Sequence, residues 1–418
     1  MLIEFRVTNF RSIRETQVFS MVASKDGAHV ESSCIETGIP AIPRALRSAI
    51  LYGPNASGKS NLISALGFMR SMVETSAISV REGQLLPVTP FRFDLTTVHA
   101  PSEFEVTFLE NGIRYQYGFA LTATRVVREW LLVYVERKAQ RWFEREYDAE
   151  KDQYNWYIGT HLIGGNQRHV WKDSTRSNAL FLSVAVNLNS EQLRSIFNWF
   201  TNKLIVIVSN QPLQPSFTAD RIADPIFKSH LIQFLQAADL GIQDVTVIKE
   251  KKPGHNLQVN GLGIALTSQE INTFKVKFLH QGKEKPAELD FGDQSHGTQR
   301  LFSYAAPVLD VLENGKTLVI DELDSSLHTK MVRFLVGLMH AAAINKNDAQ
   351  LIFTSHNTSL LDTDLFRRDQ IWFIEKNNES ASQLYPLTDF SPRKGEALEK
   401  GYLIGRYGAL PFFGEFNL

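Results

Sequence analysis

The alternation of apolar and polar residues predicts that the N-terminal part of the chain is rich in β-strand. Residues 2–10, LIEFRVTNF, alternate with period two, as expected of a strand with one buried face. A longer alternating stretch over 104–121 is interrupted by Asn111 and Gly112, a pair typical of two-residue hairpin turns. Strand patterns continue to about residue 160, so we expect an antiparallel β-rich lobe.

Short apolar runs alternate with helical periodicity in the C-terminal third. The runs KTLVID (316–321) and AQLIFTSH (349–356) are separated by 326–344, where apolar residues follow helical spacing. A similar run at 48–53 precedes an amphipathic helical pattern at 58–77. Strands that alternate with helices are typical of a parallel sheet, because parallel neighbours need a crossover connection. The pattern therefore predicts an α/β fold with a parallel sheet core.

The segments between these two parts turn helical. Helical spacing extends through 176–204 and returns at 222–240, whereas residues 241–290 return to short strands with glycine-rich turns. A chain of 418 residues is long for one domain, so two or three folding units are expected. We predict an N-terminal lobe over 1–175, an inserted helical arm over 176–268 and a C-terminal lobe over 269–418.

Composition and charge indicate a globular protein without a general affinity for nucleic acid. Hydrophobic residues make up 43% of the chain, charged residues make up 21%, and the formal net charge is −1. The charge gives no overall basic field, although it does not exclude a local basic groove. The single cysteine, Cys34, excludes an internal disulfide framework and a cysteine-based zinc site. No secretory signal and no apolar run of about 20 residues is visible, so we expect a cytoplasmic protein.

The segment GPNASGKS, at 53–60, matches the phosphate-loop pattern G-x-x-x-x-G-K-[ST]. It lies between a predicted strand and a predicted helix, the context that this motif requires, and the alternative is a chance glycine-rich turn. Backbone N–H groups of such a loop bind phosphate, Lys59 would reach the β- and γ-phosphates, and Ser60 would ligate Mg²⁺. The predicted nucleotide-binding residues here are Asn55, Ala56, Ser57, Gly58, Lys59, Ser60 and Asn61.

Two carboxylates end the apolar strand of TLVIDELDSSLH (317–328). With a phosphate loop in the same chain, Asp321 would hold Mg²⁺ through water and Glu322 would act as the general base for the attacking water. Their like charges are tolerable because Mg²⁺ and Lys59 would offset them. The alternative is an exposed acidic strand end, which would be preferred if the phosphate loop were absent.

Two further polar sites lie at the ends of predicted elements. His356 ends a strand at the edge where parallel sheets bind ligands, so it could hydrogen-bond a γ-phosphate, and the alternative is a histidine without a role. The segment DQSHGTQR (293–300) precedes a helix, so the Ser295 hydroxyl and the Gly297 backbone could bind another phosphate. A serine at this position also suits a helix N-cap, and both roles stay open.

The order of these motifs resembles that of ABC-type ATPase heads, which include the structural-maintenance-of-chromosomes, RecF and OLD-nuclease ATPases. The resemblance rests on the phosphate loop, Ser-x-Gly before a helix, VIDE and TSH. In that family the Ser-x-Gly signature closes over ATP bound to a second subunit. This implies that Ser295, Gly297 and Thr298 act in trans, in a homodimer or higher homo-oligomer with composite ATP sites. It also implies ATP and Mg²⁺ as cofactors, hydrolysis of ATP, and catalytic roles for Lys59 and His356.

Within that family the motifs resemble the RloA/AbiLi group of bacterial phage-defence ATPases, to which the AriA subunit of PARIS systems is related. The resemblance rests on DELDSSLH, SHGTQR and the ending KGYLIGRYGALPF (400–412), and it extends over nearly the whole chain. It implies a sensor and scaffold subunit that controls a nuclease-like partner, of RloB or Toprim type, through ATP-dependent dimerisation, with a phage-derived trigger. The ending would serve either C-terminal packing or partner docking.

Individual residues depart from the family pattern or have no settled role. His328 stands where ABC-type heads place the aspartate of the D-loop, and its own role stays open. Gln84 is a candidate for the glutamine loop. Arg11, in VTNFRS, resembles the family's arginine near the nucleotide, and the alternative is an ordinary surface arginine after a strand.

A DNA-binding repair ATPase of the RecF or SMC type is the alternative function. Its candidate contacts, Arg194, Lys203 and Lys228, are few, and the near-neutral charge gives them no support. The predicted arm lacks a Cys-x-x-Cys hook and is short for the rods of chromosome-maintenance proteins. Only residues 357–418 follow His356, too few for a Toprim domain, so we expect any nuclease to be a separate partner.

Overall fold

The structure is a computed structural model that describes residues 1–209, 213–238, 241–260, 263–393 and 395–411, with the backbone alone at 252–260 and 263–272. The chain forms two compact units. The first contains Met1–Gln211, Val311–Asp324 and Leu335–Leu418, and the second contains Pro212–Asp310 and Ser325–Phe334.

The strands, in chain order, are β1 (Leu2–Thr8), β2 (Gln17–Ser20), β3 (Cys34–Ile39), β4 (Ile42–Leu46), β5 (Ser48–Tyr52), β6 (Ser102–Glu110), β7 (Ile113–Leu121), β8 (Val126–Tyr134), β9 (Gln140–Asp148), β10 (Gln153–Ile158), β11 (Leu204–Ile207), β12 (Ile242–Asn260), β13 (Gly263–His280), β14 (Ala287–Asp290), β15 (Thr317–Ile320), β16 (Gln350–Thr354), β17 (Ile371–Lys376) and β18 (Ser382–Pro386).

The α-helices are α1 (Val30–Ser33), α2 (Lys59–Thr75), α3 (Leu95–Val98), α4 (Gln167–Asp173), α5 (Phe181–Asn187), α6 (Glu191–Asn198), α7 (Pro215–Arg221), α8 (Pro225–Ala237), α9 (His296–Asn314), α10 (Thr329–His340) and α11 (Leu398–Leu403). Shorter turns of π- or 3₁₀-helix cover Trp199–Lys203, Phe291–Asp293, Thr358–Leu360, Arg368–Gln370 and Leu387–Phe390.

A six-stranded sheet in the first unit confirms the predicted parallel core. Its strand order is β11-β15-β16-β5-β17-β18, and every neighbouring pair is parallel except β17 and β18. The strands β5, β15 and β16 are completely buried, as expected of parallel strands covered on both faces. Because these strands run in the same direction, their carboxyl ends meet at one edge, where the phosphate loop, the two carboxylates and His356 follow them.

A seven-stranded antiparallel sheet confirms the predicted β-rich lobe. Its order is β10-β9-β8-β7-β6-β1-β2. Asn111 and Gly112 both have positive φ angles, 52° and 75°, and so form the hairpin turn between β6 and β7 that their sequence predicts. Apolar residues of this sheet, of α2 and of the parallel sheet share one core, in which Phe104, Leu66 and Val319 are buried. The α/β fold with a parallel core and an antiparallel lobe is therefore confirmed.

The segment predicted as a helical arm, 176–268, is built differently from that prediction. The helices α5 and α6 belong to the first unit, because Leu193 and Ile196 of α6 are buried in its core. In the second unit, α7 and α8 are followed by β12 and β13, a long antiparallel pair in which Ile242 lies opposite His280. Helical periodicity identified the helices, but it did not show which core buries their apolar faces.

A buried ion pair fixes the first of these helices to the antiparallel sheet. Glu129 and Arg145 have fully buried side chains, and Arg145 Nε donates to Glu129 Oε2 at 2.9 Å. The same carboxylate accepts from the Tyr117 hydroxyl at 3.0 Å and from the first backbone N–H groups of α5, those of Phe181 at 2.7 Å and Leu182 at 3.0 Å. Glu129 therefore compensates a buried cation and caps a helix at once.

We expect Glu129→Ala to lower the free energy of unfolding by about 3–5 kcal/mol, because it leaves Arg145 buried without its counter-charge. Thermal unfolding measured by calorimetry gives the change. The matched control is Glu144→Ala, which removes ion pairs to the exposed arginines Arg128 and Arg141 and should cost less than about 1 kcal/mol. Equal losses in the two variants would contradict the role given to Glu129.

Candidate functional site

A loop–helix cradle follows the central strand β5. The backbone of Ala56 has a φ of 61° and that of Gly58 a φ of 116°, so the loop turns tightly before α2 begins at Lys59. A side chain at Gly53 would place its Cβ 2.2 Å from the Ile374 carbonyl oxygen, and one at Gly58 would place it 2.1 Å from Ser382 Oγ. Glycine is therefore required at both positions because neighbouring atoms leave no room for a Cβ. At Gly58 the positive φ angle also requires it.

A cavity of about 160 Å³ lies in front of this cradle, and its lining residues are Asn55, Ala56, Ser57, Gly58, Lys59, Ser60, Asn61, Glu322 and His356. Pockets that hold whole small molecules usually exceed about 300 Å³, so this cavity suits the phosphate part of a nucleotide. The structure therefore brings together nine of the residues that the sequence predicts for the site, including the predicted general base, Glu322, and the strand-end histidine, His356.

Lys59 is buried and held at the loop. Its Nζ donates to the carbonyl oxygens of Gly53 at 2.7 Å and Pro54 at 3.0 Å. Burial lowers the pKa of Lys59 to about 8, although the carboxylates of Asp321 and Glu322 act in the opposite direction. A partly desolvated ammonium at the N-terminus of a 17-residue helix favours an anionic ligand.

Asp321 is buried at the end of β15, with 1% of its surface exposed, and both of its carboxylate oxygens accept hydrogen bonds. Thr354 Oγ1 donates to Oδ1 at 2.8 Å, and Ser209 Oγ donates to Oδ2 at 2.7 Å. The Glu322 backbone N–H donates in turn to Thr354 Oγ1 at 2.7 Å. Glu322 has a φ of 55°, an unfavourable conformation for this residue type, and the Thr354 contact helps to hold it there.

His356 follows β16 at the same edge of the sheet. Its backbone N–H donates to Asp324 Oδ2 at 3.1 Å, which ties it to the turn after β15. Partial burial and the positive charge of Lys59 lower the pKa of His356 below its ordinary value, while Asp324 and Glu322 oppose that shift. The imidazole is thus mostly neutral near pH 7, with one ring N–H to donate to a phosphate oxygen.

The Ser-x-Gly segment lies in the second unit. Ser295 Oγ accepts from the Thr298 backbone N–H at 3.1 Å and lies 2.9 Å from Thr298 Oγ1 at the start of α9. The helix N-cap predicted for Ser295 is therefore present, and a phosphate role in trans stays a prediction. His328 also lies in the second unit, and its Nδ1 accepts from the Lys330 backbone N–H at 3.1 Å at the start of α10. The cap gives His328 a structural role that the sequence left open.

Other sequence-predicted residues lie outside the cavity lining. Arg11 is exposed, has a φ of 52° and places its guanidinium 5.2 Å from the centre of the Phe10 ring. Gln84 is also exposed, and its Oε1 accepts from the Arg81 backbone N–H at 3.0 Å within its own turn. Neither contact gives these residues a role toward phosphate.

Two of the three basic residues named for DNA binding are engaged within the protein. Lys203 Nζ donates to the Asn314 carbonyl oxygen at 2.7 Å, and Lys228 Nζ lies 2.7 Å from Asp244 Oδ1. Such contacts do not favour a basic groove around these residues.

A pair of serines behind the phosphate loop was not predicted. Ser12 Oγ lies 2.7 Å from Ser382 Oγ, and Ser382 Oγ donates to the Ser57 carbonyl oxygen at 2.6 Å. Asn61 Nδ2 also donates to Ser12 Oγ at 2.7 Å. The quoted motif VTNFRS contains Ser12, so a signal was present, whereas Ser382 and Ser209 lie in segments without a recognisable motif.

The residues present fit Mg²⁺ bound together with phosphate rather than by protein alone. Among the described residues, no group of three or more His, Cys, Asp or Glu side chains is placed to hold a metal ion. Mg²⁺ usually keeps several waters and binds one or two carboxylates plus substrate phosphates. Ser60, which lines the cavity, and the buried Asp321 supply a hydroxyl and a carboxylate of that kind.

Comparison with known proteins gives one family match. Residues 48–362 match the family described as "AAA domain, putative AbiEii toxin, Type IV TA system". No match was found among curated protein sequences. Among the described residues, no helix has both the length and the apolar character needed to cross a bilayer.

Solved structures of SMC heads are also similar at low identity. The SMC head domain from Thermotoga maritima is 14% identical with a TM-score of 0.40, covering 92% of this chain and 98% of that one. An SMC head bound to the C-terminal winged-helix domain of ScpA is 12% identical with a TM-score of 0.39, covering 92% of this chain and 97% of that one.

The depressed pKa of Lys59 predicts a pH dependence of nucleotide binding. Below pH 8 the lysine is already charged, so affinity should change little, whereas above about pH 8 binding must take up a proton. We expect affinity for ATP, measured by calorimetry between pH 7 and 9.5, to fall by up to about tenfold per pH unit above pH 8. Lys59→Arg stays charged across this range and should lose that slope. A wild-type affinity that is constant to pH 9.5 would contradict this prediction.

Proposed function

Because the chain belongs to the family described as "AAA domain, putative AbiEii toxin, Type IV TA system", matched over residues 48–362, we propose that it binds and hydrolyses ATP to control an effector protein. The observation that carries the proposal is the cavity in which the phosphate-loop lysine, Lys59, shares one space with Glu322 and His356. Lys59 would supply a cation for the phosphates, Glu322 a base for the attacking water and His356 a hydrogen-bond donor. Hydrolysis of a phosphoanhydride uses these three kinds of group.

The proposed reaction converts ATP and water to ADP and phosphate. Glu322 takes a proton from the water whose oxygen bonds to the γ-phosphorus, while the bond from that phosphorus to the bridging oxygen breaks. Lys59 and the N-terminus of α2 stabilise charge on the phosphates, and His356 donates to a γ-phosphate oxygen. Bound Mg²⁺, held by Ser60 and by Asp321 through water, would neutralise phosphate charge.

We further propose that two or more copies of the chain form composite ATP sites. The Ser295 hydroxyl, the Gly297 backbone and Thr298 would bind the γ-phosphate of a nucleotide held by another copy, with Arg11 near its own nucleotide. Support comes from the motif order and from the position of Ser295 and Gly297 at the start of the 19-residue helix α9, whose N-terminus favours anions.

The effector is proposed to be a separate nuclease-like protein of RloB or Toprim type, in a phage-defence system of the RloA/AbiLi or AriA kind with a phage-derived trigger. The family description and the DELDSSLH and SHGTQR motifs support a defence function. The candidate docking segment, 400–412, is described up to residue 411. Within it, Tyr402 and Tyr407 are buried, and Leu403 and Ile404 are exposed.

Glu322→Gln tests the assignment of the base. It removes the proton acceptor but keeps the size of the side chain, so turnover should fall by about 10²–10⁴-fold while ATP binding is retained. Phosphate release and calorimetric binding measure the two properties. Glu136→Gln, at an exposed position in the loop between β8 and β9, is the control and should leave turnover unchanged. Unchanged hydrolysis in Glu322→Gln would show that another group acts as base.

Lys59→Ala tests the link between nucleotide and effector. Loss of the loop cation should weaken ATP binding and abolish protection against phage together, because control of the effector is proposed to need the nucleotide. Plaque assays in the native host measure protection, and co-purification with the tagged chain identifies the partner. Full protection by Lys59→Ala would refute the switch, and co-purification of DNA with no protein partner would favour the repair function instead.

A further inference from the structure

Two hydroxyl groups donate to the carboxylate of Asp321, one to each oxygen, and they differ in their surroundings. Thr354 is completely buried and also accepts the Glu322 backbone N–H, so it belongs to the packed interior of the sheet. Ser209 is an exposed residue just after β11, and its hydroxyl reaches Asp321 Oδ2 at 2.7 Å. Only the first of these two is fixed by its surroundings.

The hydrogen bond of Ser209 also joins two segments that are distant in sequence. The strands β11 and β15 are parallel neighbours, with Ile207 opposite Ile320, so Ser209 and Asp321 follow adjacent strand ends. The part of the first unit that contains Ser209 is Met1–Gln211, and the part that contains Asp321 is Val311–Asp324. The Ser209–Asp321 bond therefore joins two separate segments of the first unit.

Hydrogen bonds to a metal-binding carboxylate normally set its orientation. A carboxylate has about four lone-pair positions, and two hydroxyl donors use two of them. The two donors therefore fix the plane of the carboxylate and the directions of its remaining lone pairs. This orientation favours binding of hydrated Mg²⁺ in one geometry. Removing one donor frees the carboxylate to rotate about its Cβ–Cγ bond, so the metal must then order it.

We propose that Ser209 is a positioning residue for Asp321, and that it couples Mg²⁺ at this carboxylate to the end of β11. The coupling is reciprocal: if the Ser209 bond strengthens Mg²⁺ binding, bound Mg²⁺ strengthens the Ser209 bond and orders the end of β11. The proposal rests on the proposed nucleotide function, because Mg²⁺ is expected to bind here together with phosphate.

The test compares Ser209→Ala, Ser209→Thr and, as control, Ser174→Ala at an exposed serine of the same unit. Mg²⁺ is titrated at a saturating concentration of ATP. Ser209→Ala should raise the Mg²⁺ concentration for half-maximal binding by about tenfold or more, the effect typical of a lost partner of a metal ligand. Ser209→Thr, which keeps the hydroxyl, and Ser174→Ala should both remain within about twofold of wild type.

Hydrogen–deuterium exchange of the peptide over 204–209 gives a readout that does not depend on turnover. In the wild type, adding Mg²⁺ to the ATP-bound protein should slow exchange there, and in Ser209→Ala the slowing should disappear. An unchanged Mg²⁺ dependence in Ser209→Ala, or equal slowing in both proteins, overturns the proposal. If the wild type shows no ATP binding at any Mg²⁺ concentration, the proposed function fails instead.

Discussion

The burial of Asp321 is the constraint on which the site depends. Removing a carboxylate from water costs several kcal/mol even after the protein relaxes, so a buried one needs donors and a counter-charge. Here the donors are the hydroxyls of Ser209 and Thr354, and Lys59 provides a nearby positive charge. Ser209 follows β11, Thr354 ends β16 and Lys59 follows β5, so the carboxylate is tolerable only if these parallel strands are neighbours in the sheet.

The charge balance of the same site favours a divalent cation. Three carboxylates, those of Asp321, Glu322 and Asp324, act on Lys59, whose ammonium is the one cation in the cavity lining among the described residues when His356 is neutral. Counted over these four side chains alone, three negative charges and one positive charge leave −2 before any phosphate enters. A polyphosphate would raise this excess, so a metal ion that enters with it makes its binding more favourable. The acidic strand end is thus a reason for Mg²⁺ as well as a site for it.

How much the sequence predicted depends on whether a feature is local. The turn at Asn111 and Gly112, the strand before the phosphate loop and the nine cavity residues follow from short motifs and periodicity, and the structure places them accordingly. Ser209 and Ser382 were missed because their partners are distant in sequence and depend on strand order, which hydrophobic patterns do not encode. The arm was misjudged for a related reason: periodicity marks an apolar face but not the core that buries it.

The two interpretations of Ser295 are physically compatible. As an N-cap, the serine oxygen accepts the Thr298 backbone N–H, which satisfies one donor of α9 and leaves the hydroxyl hydrogen available. That hydrogen can point to Thr298 Oγ1, 2.9 Å away, or to a phosphate oxygen without breaking the cap. Capping therefore holds the hydroxyl at the helix N-terminus, where an anion is favoured. The structural role of Ser295 would thus prepare its proposed role toward the nucleotide of another copy.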